Sequence, residues 1–280
     1  MTDNPYLPKK AKIIKVFRET DDTLTFRLDT SIFNKFNGTN RTNRPGQFFN
    51  IAVLGIGECP ISIASCSDKH VDLCIRNVGN VTNAIHQKKA GDYLLIRGPY
   101  GNGYPMEEFY GKDIVMVGGG TGVAPLISAV EYIEKNRTKF GNAKLFFGFR
   151  HHDAVLFMRN FKRWNDVFDF GFTLDCPNIN NKLIKSIKPT NCKTGAVTTL
   201  LDKAYLDKDS IAIICGPPVM IRFVAETLLK KGIDEKNIYI SYERLMSCGI
   251  GKCGHCEVGG KYVCKHGPVF RYDEAKDMKD

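Results

Sequence analysis

The first hundred residues alternate between short apolar runs and turn-forming residues, whereas the chain beyond them has longer apolar runs with helical spacing. Runs rich in β-branched and aromatic residues predict six strands, at Lys12–Arg18, Thr23–Asp29, Gln47–Val53, Ile61–Cys66, Val71–Arg76 and Tyr93–Arg97. Strands this close together predict a small antiparallel barrel, with one short helix at Val81–Lys88. The glycine- and proline-rich segment Gly98–Pro105 predicts a linker or turn at the end of this first domain.

From Asp113 the pattern changes to buried strands that alternate with amphipathic helices. The strands are predicted at Ile114–Val117, Ala143–Phe149, Phe170–Leu174, Ser210–Cys215 and Ile238–Ser241. One helix carries Val123, Leu126, Ile127, Val130 and Ile133 on a single face, and a second runs from about Val219 to Lys231 and stops before Gly232. This alternation predicts a parallel sheet with crossover helices. We therefore expect an antiparallel β-barrel at 1–108, a parallel-sheet α/β nucleotide-binding domain at 109–243 and a small C-terminal tail at 244–280.

Composition and charge exclude several classes of protein. Of the 280 residues, 43% are hydrophobic and 25% are charged, as in ordinary globular chains, and the length suggests about two domains. The net charge of +10 is scattered along the chain, which argues against nucleic-acid binding and favours a protein partner or a phosphate-rich cofactor. The longest uncharged run, Ile114–Val130, contains four glycines and a proline, so no membrane insertion is expected. The N-terminus lacks the features of a secretory signal, so we expect a cytoplasmic protein.

Four of the ten cysteines lie in the last thirty-three residues, with the spacing Cys248-x4-Cys253-x2-Cys256-x7-Cys264. The first three match the plant-type [2Fe–2S] spacing, and the interspersed glycines allow backbone amides to turn towards sulfur. The alternative is a structural zinc site that also uses His255 and His266. Zinc knuckles space their ligands in pairs, and only Cys253 and Cys256 do so here. The spacing therefore favours these four cysteines as the ligands of an iron–sulfur cluster.

A glycine-rich turn joins the first strand of the α/β domain to its helix. Glycines let backbone N–H groups approach an anion, and a helix N-terminus favours negative charge, so the turn is typical of a pyrophosphate site. A tight structural turn is the alternative. A second sharp turn closes another strand, and we expect it at the same carboxyl edge of the sheet. The two turns comprise Gly118, Gly119, Gly120, Thr121 and Gly122, and Cys215, Gly216 and Pro217.

Two charged residues near this edge bear on the choice of nucleotide. Asp175 ends a predicted strand, where its carboxylate would accept the ribose 2′-hydroxyl of NADH and repel a 2′-phosphate. Arg150 argues the other way, because a guanidinium can pair with that phosphate. We expect a preference for NADH.

Taken in chain order, the motifs resemble those of the ferredoxin–NADP reductase superfamily. The resemblance rests on Pro60-Ile61-Ser62 and Gly79-x-x-Thr82 in the barrel, and on the Gly-Gly-Thr-Gly and Cys-Gly-Pro turns that follow. A cysteine-rich tail narrows it to a branch that contains electron-transfer subunits of dihydroorotate dehydrogenase, gamma subunits of sulfhydrogenases and B subunits of anaerobic sulfite reductase. The chain resembles the sulfite reductase subunits over nearly its whole length, in Glu58–Ser62, Arg97–Gly103 and Tyr262–Phe270 among other segments.

The resemblance implies three cofactors: FAD on the barrel, a [2Fe–2S] cluster in the tail, and NADH as the substrate. It implies a hydrogen bond from Ser62 to the reactive edge of the flavin, and a position for Cys215 beside the nicotinamide. The flavin contacts that it implies are Pro60, Ile61, Ser62, Ile75, Arg76, Gly79, Val81 and Thr82. One residue departs from the superfamily pattern, because Cys59 stands where an Arg usually neutralises the flavin phosphate. Arg76 or backbone amides would then take that role.

The function implied by the resemblance is electron input to an anaerobic sulfite reductase. Electrons from NADH would pass through FAD and the cluster to a ferredoxin-like iron–sulfur subunit, and from there to a sirohaem subunit that reduces sulfite to sulfide. The alternative is the same module serving dihydroorotate dehydrogenase or a sulfhydrogenase or other hydrogenase. A third hypothesis is a non-enzymatic binding protein held together by zinc.

Overall fold

The computed structural model describes residues 4–29, 44–67, 69–176 and 192–278, which form two compact units. The first unit takes its described residues from Met1–Tyr104, Tyr242–Val269 and Met278–Asp280. The second comprises Pro105–Ser241 and Phe270–Asp277. The cysteine-rich segment therefore belongs to the same unit as the N-terminal strands.

The first unit contains a closed six-stranded barrel, which confirms the predicted architecture. Its strands are β1 (Lys9–Arg18), β2 (Thr23–Asp29), β3 (Phe48–Val53), β4 (Gly57–Cys66), β5 (His70–Arg76) and β6 (Tyr93–Tyr100). They follow the order β1-β2-β5-β4-β3-β6, and β6 pairs with β1 to close the barrel. Alternate residues of these strands point inward and form one apolar cluster, because successive side chains of a strand face opposite sides. A short helix, α1 (Asn80–His86), follows β5.

The segment predicted as a linker after Arg97 is in part a strand. β6 continues through Gly98 and Pro99 to Tyr100, which pairs with Phe48 of β3. The register shifts between Phe48 and Asn50, so the strand bends at this point without ending. Glycine and proline are typical of turns, and here the pairing and ring packing of Tyr100 against Phe48 override that local preference.

The second unit is built around a seven-stranded sheet. The later strands of the chain are β7 (Ile114–Gly119), β8 (Ala143–Phe149), β9 (Asp169–Leu174), β10 (Cys192–Thr194), β11 (Ile211–Cys215), β12 (Ile238–Ser241), β13 (Glu257–Val258), β14 (Lys261–Tyr262) and β15 (Val269–Arg271). The sheet order is β10-β9-β8-β7-β11-β12-β15, and all pairs from β10 to β12 are parallel. The parallel α/β sheet was predicted, but β10 and β15 at its two edges were not. β13 and β14 form a separate hairpin.

Helices connect these strands. They are α2 (Val123–Lys135), α3 (Phe161–Val167), α4 (Thr198–Lys203), α5 (Pro218–Lys230), α6 (Val263–His266) and α7 (Tyr272–Ala275). The face of α2 predicted from its spacing is buried, since each of its five apolar residues is at most 2% exposed. Among the residues that the structure describes, no helix is long and apolar enough to span a membrane.

Candidate functional site

The two glycine turns of the second unit meet at one edge of its sheet. β7 and β11 are paired in register, with Gly118 opposite Cys215, so the turns that follow both strands lie side by side. A Cβ atom on Gly122 would stand 2.5 Å from Cα and 2.6 Å from N of Gly216. Only glycine allows the two backbones to approach this closely. The two turns therefore pack closely together at the carboxyl edge of the sheet, where the pyrophosphate site is predicted.

Other predicted nucleotide residues lie at the same edge. Gly119 and Gly120 lead into α2, and the sulfur of Met220 covers Gly119 and Gly216. Cys215 is fully buried, and Pro217 is the N-cap of α5. The predicted contact of Cys215 with a nicotinamide remains a prediction.

Arg150 and Asp175 are neighbours at this edge. They follow β8 and β9, and the ladder continues past the strands through hydrogen bonds from Asp175 N to Phe149 O (3.0 Å) and from Cys176 N to Arg150 O (3.0 Å). Both side chains are exposed, so one carboxylate and one guanidinium face solvent where the nucleotide is predicted to bind.

We expect Asp175→Asn to narrow the preference for NADH over NADPH, because it removes the charge that repels a 2′-phosphate. Arg150→Gln should have the opposite effect. Comparing kcat/KM for the two nucleotides, with an artificial electron acceptor, measures both changes. Better use of NADPH than NADH by the unsubstituted protein contradicts this role for Asp175.

The predicted flavin strand is β4. Pro60, Ile61 and Ser62 are all partly exposed, whereas the next residues of the strand are buried in the barrel. Ile61 packs against the barrel core, so its neighbours Pro60 and Ser62 face the opposite side of the strand, and this side, with one apolar ring and one hydroxyl, fits the packing of a planar ring. Ile75 is also a predicted flavin contact, but its side chain lies wholly in the barrel core.

The turn before α1 is closed by Thr82. Its hydroxyl oxygen accepts hydrogen bonds from Val78 N (2.9 Å) and Gly79 N (3.0 Å), and it donates one to the carbonyl of Gly79 (3.0 Å). Thr82 therefore shapes the turn from within, as in an ordinary helix cap. Val81 is half-buried beside it, and nothing lies within 4 Å of a Cβ placed on Gly79.

The charge available near the flavin strand is limited. Burial, and then the Glu58 carboxylate, raise the pKa of the Cys59 thiol to about 11, so this residue is neutral where the superfamily has a cation. Arg76 is half-exposed and donates from Nε to Asp22 Oδ2 (2.7 Å). A flavin phosphate would have to compete with Asp22 for this guanidinium.

The Asp22–Arg76 pair gives a pH-dependent prediction. Desolvation alone would raise the pKa of Asp22, but hydrogen bonds from Arg76, Thr23 and Thr20 outweigh it and lower the pKa from 3.8 to about 2. The pair's contribution is then fully present above pH 3.8 and is lost as the pH falls through 2. Because both side chains are about half-exposed, we expect Asp22→Asn to cost less than about 1 kcal/mol at pH 7.

Urea denaturation at pH 7 and near pH 2 measures this difference, which should be clearly smaller at the lower pH, where the Asp22 carboxylate is about half protonated. An undiminished difference at pH 2 contradicts the ion pair as its source. Arg76→Gln should show the same stability profile. A greater loss of bound flavin in Arg76→Gln than in Asp22→Asn would assign Arg76 to the flavin phosphate.

The four cysteines of the tail lie together as two pairs. The Cys248 and Cys253 side chains are hydrogen-bonded to each other, and so are those of Cys256 and Cys264. Within the described ranges, no group of three or more His, Cys, Asp or Glu side chains is arranged to hold a single metal ion. Four cysteine thiols grouped as two pairs are a donor set that fits a [2Fe–2S] cluster.

Backbone amides surround these sulfurs. Cys248 Sγ accepts from Ile250 N (3.5 Å) and Lys252 N (3.3 Å), and Cys264 Sγ accepts from Gly251 N (3.2 Å). Desolvation raises the pKa of Cys248, but hydrogen bonds from these amides and from Cys253 outweigh this effect and lower the pKa to about 6. The lower pKa favours the thiolate, which is the form that binds metals. Burial, with Cys256 beside it, raises the pKa of Cys264 to about 12.

The two histidines weighed as zinc ligands have other partners. His255 Nδ1 is hydrogen-bonded to Ser247 Oγ (2.7 Å), and His266 Nδ1 accepts from Tyr262 N (2.9 Å). Without them, the zinc alternative keeps only the four cysteines, whose paired arrangement favours the cluster.

Sequence reasoning missed three barrel residues that contact the cysteine-rich segment or support that contact. They are Arg97 on β6, Glu58 on β4 and Asn50 on β3. Arg97 donates to the carbonyl oxygens of Ser247 and Cys248, and Asn50 donates to that of Ser247. Glu58 forms an ion pair with Arg97. The available signal was Asn50 in the otherwise apolar strand β3 and Arg97 within the apolar run of β6, because buried polar groups require partners.

Two family models match the chain. An oxidoreductase NAD-binding domain matches residues 116–226, which contain both glycine turns. An iron-sulfur cluster binding domain of dihydroorotate dehydrogenase B matches residues 243–276, which contain all four cysteines.

Known relatives match most of the chain. Sulfhydrogenase 1 subunit gamma of Pyrococcus furiosus is 38% identical, and the match covers 96% of this chain and 92% of the relative. Sulfhydrogenase 2 subunit gamma of the same organism is also 38% identical, with 97% of each chain covered. A probable dihydroorotate dehydrogenase B electron transfer subunit of Thermococcus kodakarensis is 35% identical and covers 81% of this chain and 84% of its own.

Solved structures have the same fold. A chain of an NADH-dependent reduced ferredoxin-NADP oxidoreductase superposes with a TM-score of 0.75 at 25% identity, covering 100% of this chain and 91% of its own. A ferredoxin NADP+ reductase of Neisseria gonorrhoeae, solved with FAD and NADP, has a TM-score of 0.59 at 20% identity, with 80% of this chain and 92% of its own covered.

These matches confirm the predicted fold class and the predicted cofactors, which are FAD, an iron–sulfur cluster and NADH. They change which members of the predicted branch this chain is taken to resemble most. The three relatives are subunits of sulfhydrogenases and of a probable dihydroorotate dehydrogenase, so they favour the predicted alternative over sulfite reductase.

Proposed function

The chain belongs to the family of electron-transfer subunits that includes sulfhydrogenase gamma and dihydroorotate dehydrogenase B subunits, and from this we propose that it feeds electrons from NADH to a partner oxidoreductase. It is an oxidoreductase subunit with an NAD-binding domain. The observation that carries the proposal is the arrangement of four cysteines as two amide-surrounded pairs in the same unit as the barrel. Such a site suits one-electron transfer, which NADH alone does not perform.

The predicted contacts on β4 would hold FAD, which would supply the acceptance of a hydride from NADH and the release of single electrons. The work of the protein is to align the groups. The amides of the glycine turns hold the pyrophosphate, and the close contact of Gly122 with Gly216 fixes the distance between the two turns. Ser62 presents its hydroxyl on the flavin strand and is proposed to hydrogen-bond the reactive edge of the ring. No acid or base is needed for hydride transfer, so alignment supplies most of the rate.

We propose a hydrogenase-type catalytic subunit as the terminal partner. The support is the match to two sulfhydrogenase gamma subunits over nearly the whole of this chain. A dihydroorotate dehydrogenase is the next candidate, because its electron-transfer subunits match at lower identity, for example 35%, 31% and 29%. A sirohaem sulfite reductase, reached through a ferredoxin-like subunit, rests on the sequence motifs alone.

The isolated chain should oxidise NADH with ferricyanide or a viologen as acceptor, and it should neither evolve hydrogen nor reduce sulfite by itself. A visible spectrum with flavin and iron–sulfur bands is expected. A colourless protein that contains zinc would contradict the proposal. So would steady sulfide or hydrogen production by the single chain, since that would require a substrate site which the proposal does not include.

To identify the partner, the tagged chain is purified from the organism that produces it, together with the proteins that remain bound to it. The complex is then assayed for NADH-linked hydrogen evolution, dihydroorotate oxidation and sulfite reduction. Hydrogen evolution alone supports the first partner, and each of the other activities replaces it with the corresponding candidate.

A further inference from the structure

Arg97 is a buried cation in the wall of the barrel. Its side chain is 6% exposed, and Nε donates to Glu58 Oε1 (2.7 Å) while Nη2 donates to Glu58 Oε2. Hydrogen bonding to Glu58 is the main cause of a raised pKa of Arg97, so the guanidinium stays charged. A fork-to-fork pair of this kind fixes the plane of the guanidinium.

The other N–H groups of Arg97 point to the cysteine-rich segment and the N-terminal segment. Nη2 donates to Ser247 O (3.2 Å), and Nη1 donates to Cys248 O (3.1 Å) and Pro5 O (3.3 Å). Asn50 Nδ2 donates to the same Ser247 oxygen (3.0 Å). The carbonyls at the first cysteine are thus held on the barrel side, while the amides of two following residues donate to its sulfur.

The same residues connect to the predicted flavin strand. Glu58 lies on β4 two residues before Pro60, and Asn50 of β3 is the register partner of both Pro60 and Arg97. A continuous set of hydrogen-bonded residues therefore runs from the flavin strand to the peptide groups of Cys248.

We propose that Arg97 is a positioning residue for the iron–sulfur cluster, which holds the peptide groups of Ser247 and Cys248 and biases the cluster towards its reduced form. The proposal rests on the proposed function, because it requires a cluster on the four cysteines. It adds a role for barrel residues outside the ligand set.

The direction of the effect follows from charge. Reduction adds one negative charge to the cluster, and a buried cation next to a ligand's carbonyl stabilises that charge. Removing the charge of Arg97 should therefore lower the reduction potential of the cluster. Removing the negative charge of Glu58 leaves the cation uncompensated and should raise it.

The test compares Arg97→Gln, Arg97→Lys and Glu58→Gln by redox titration of the cluster's paramagnetic signal. Arg27→Gln is the matched control, because Arg27 also forms a two-point ion pair with a buried acidic residue of the barrel, Asp72. That pair joins β2 to β5, whereas the residues that reach the cysteine-rich segment lie on β3 and β6. The flavin potential, measured in the same samples, shows how far each effect is confined to the cluster.

We expect a lower cluster potential in Arg97→Gln, a higher one in Glu58→Gln, and a value nearer the unsubstituted protein in Arg97→Lys, with Arg27→Gln unchanged. Shifts of the Arg97→Gln and Glu58→Gln variants in the same direction overturn the proposal, as does a lysine variant that behaves like glutamine. If Arg97→Gln does not retain iron, Glu58→Gln decides, and an unchanged or lower potential in it overturns the proposal.

The spectrum of the unsubstituted protein separates this proposal from the one on which it rests. An unsubstituted chain without iron–sulfur bands contradicts the proposed function and removes the basis of this one. If the unsubstituted chain has a normal cluster and the substitutions at Arg97 and Glu58 do not change its reduction potential, only the role of Arg97 is contradicted.

Discussion

Cys264→Ser is expected to remove the iron–sulfur cluster and to leave the flavin bound. Cys264 is 2% exposed, is paired with Cys256 and accepts a hydrogen bond from Gly251 N (3.2 Å). Serine is a poor substitute for a thiolate ligand, so we expect iron content to fall by at least about tenfold. The predicted flavin contacts lie on β4, β5 and α1, outside the cysteine-rich segment, so the flavin spectrum should remain.

Cys192→Ser is the matched control for this variant. Cys192 lies half-buried on β10, and burial raises its pKa, so it is a neutral packing thiol. Iron per chain and the paramagnetic signal of the reduced protein are measured for both variants. Full iron with an unchanged signal in Cys264→Ser would show that the assignment of the ligands is wrong.

Gly122→Ala is expected to abolish productive binding of NADH. The added Cβ would lie 2.5 Å from Gly216 Cα and 2.7 Å from Cys215 O, and these are backbone atoms that no rotamer change can move aside. The two turns must then separate. A displacement on the order of 1 Å at a binding site costs roughly 100-fold in activity, and we expect the KM for NADH to rise by at least that factor.

Gly171→Ala controls for the general cost of adding a methyl group to this sheet. Gly171 lies on β9, where the nearest atoms to an added Cβ are the Leu200 methyl groups at 3.4 Å, an ordinary contact. It should keep a normal KM. Steady-state NADH oxidation with ferricyanide measures both variants, and flavin and iron content should be unaffected in each. A normal KM in Gly122→Ala contradicts the assignment of these turns to the nucleotide.

Local pattern was sufficient to predict much of the fold. The strand Thr23–Asp29 has the same bounds in the structure, and the helix after β7 buries the face predicted from its spacing. β15 was missed because Val269–Arg271 is too short to form a pattern, and its burial comes from the edge of a sheet formed elsewhere in the chain. β6 was cut short at Arg97 because Gly98 and Pro99 are locally typical of a turn.

Local sequence was likewise sufficient to predict only part of the candidate site. The candidate cysteine ligands lie close together in sequence, and so do the residues of each glycine turn, so spacing alone was sufficient to predict them. Arg97 and Cys248 are 151 residues apart, and no local pattern connects them. Their contact depends on how the folded chain brings β6 and the cysteine-rich segment together.

The first unit combines stretches of chain that are synthesised far apart in time. Its barrel strands leave the ribosome early, whereas Tyr242–Val269, which carries the four cysteines, follows only after most of the second unit has been made. Until then the guanidinium of Arg97 has Glu58, Tyr100 and Pro5 as partners, but not the carbonyls of the cysteine-rich segment. Loading of the proposed cluster therefore has to wait until Tyr242–Val269 has been synthesised. A chain truncated before Tyr242 would leave a polar face of the barrel open to quality-control chaperones and proteases.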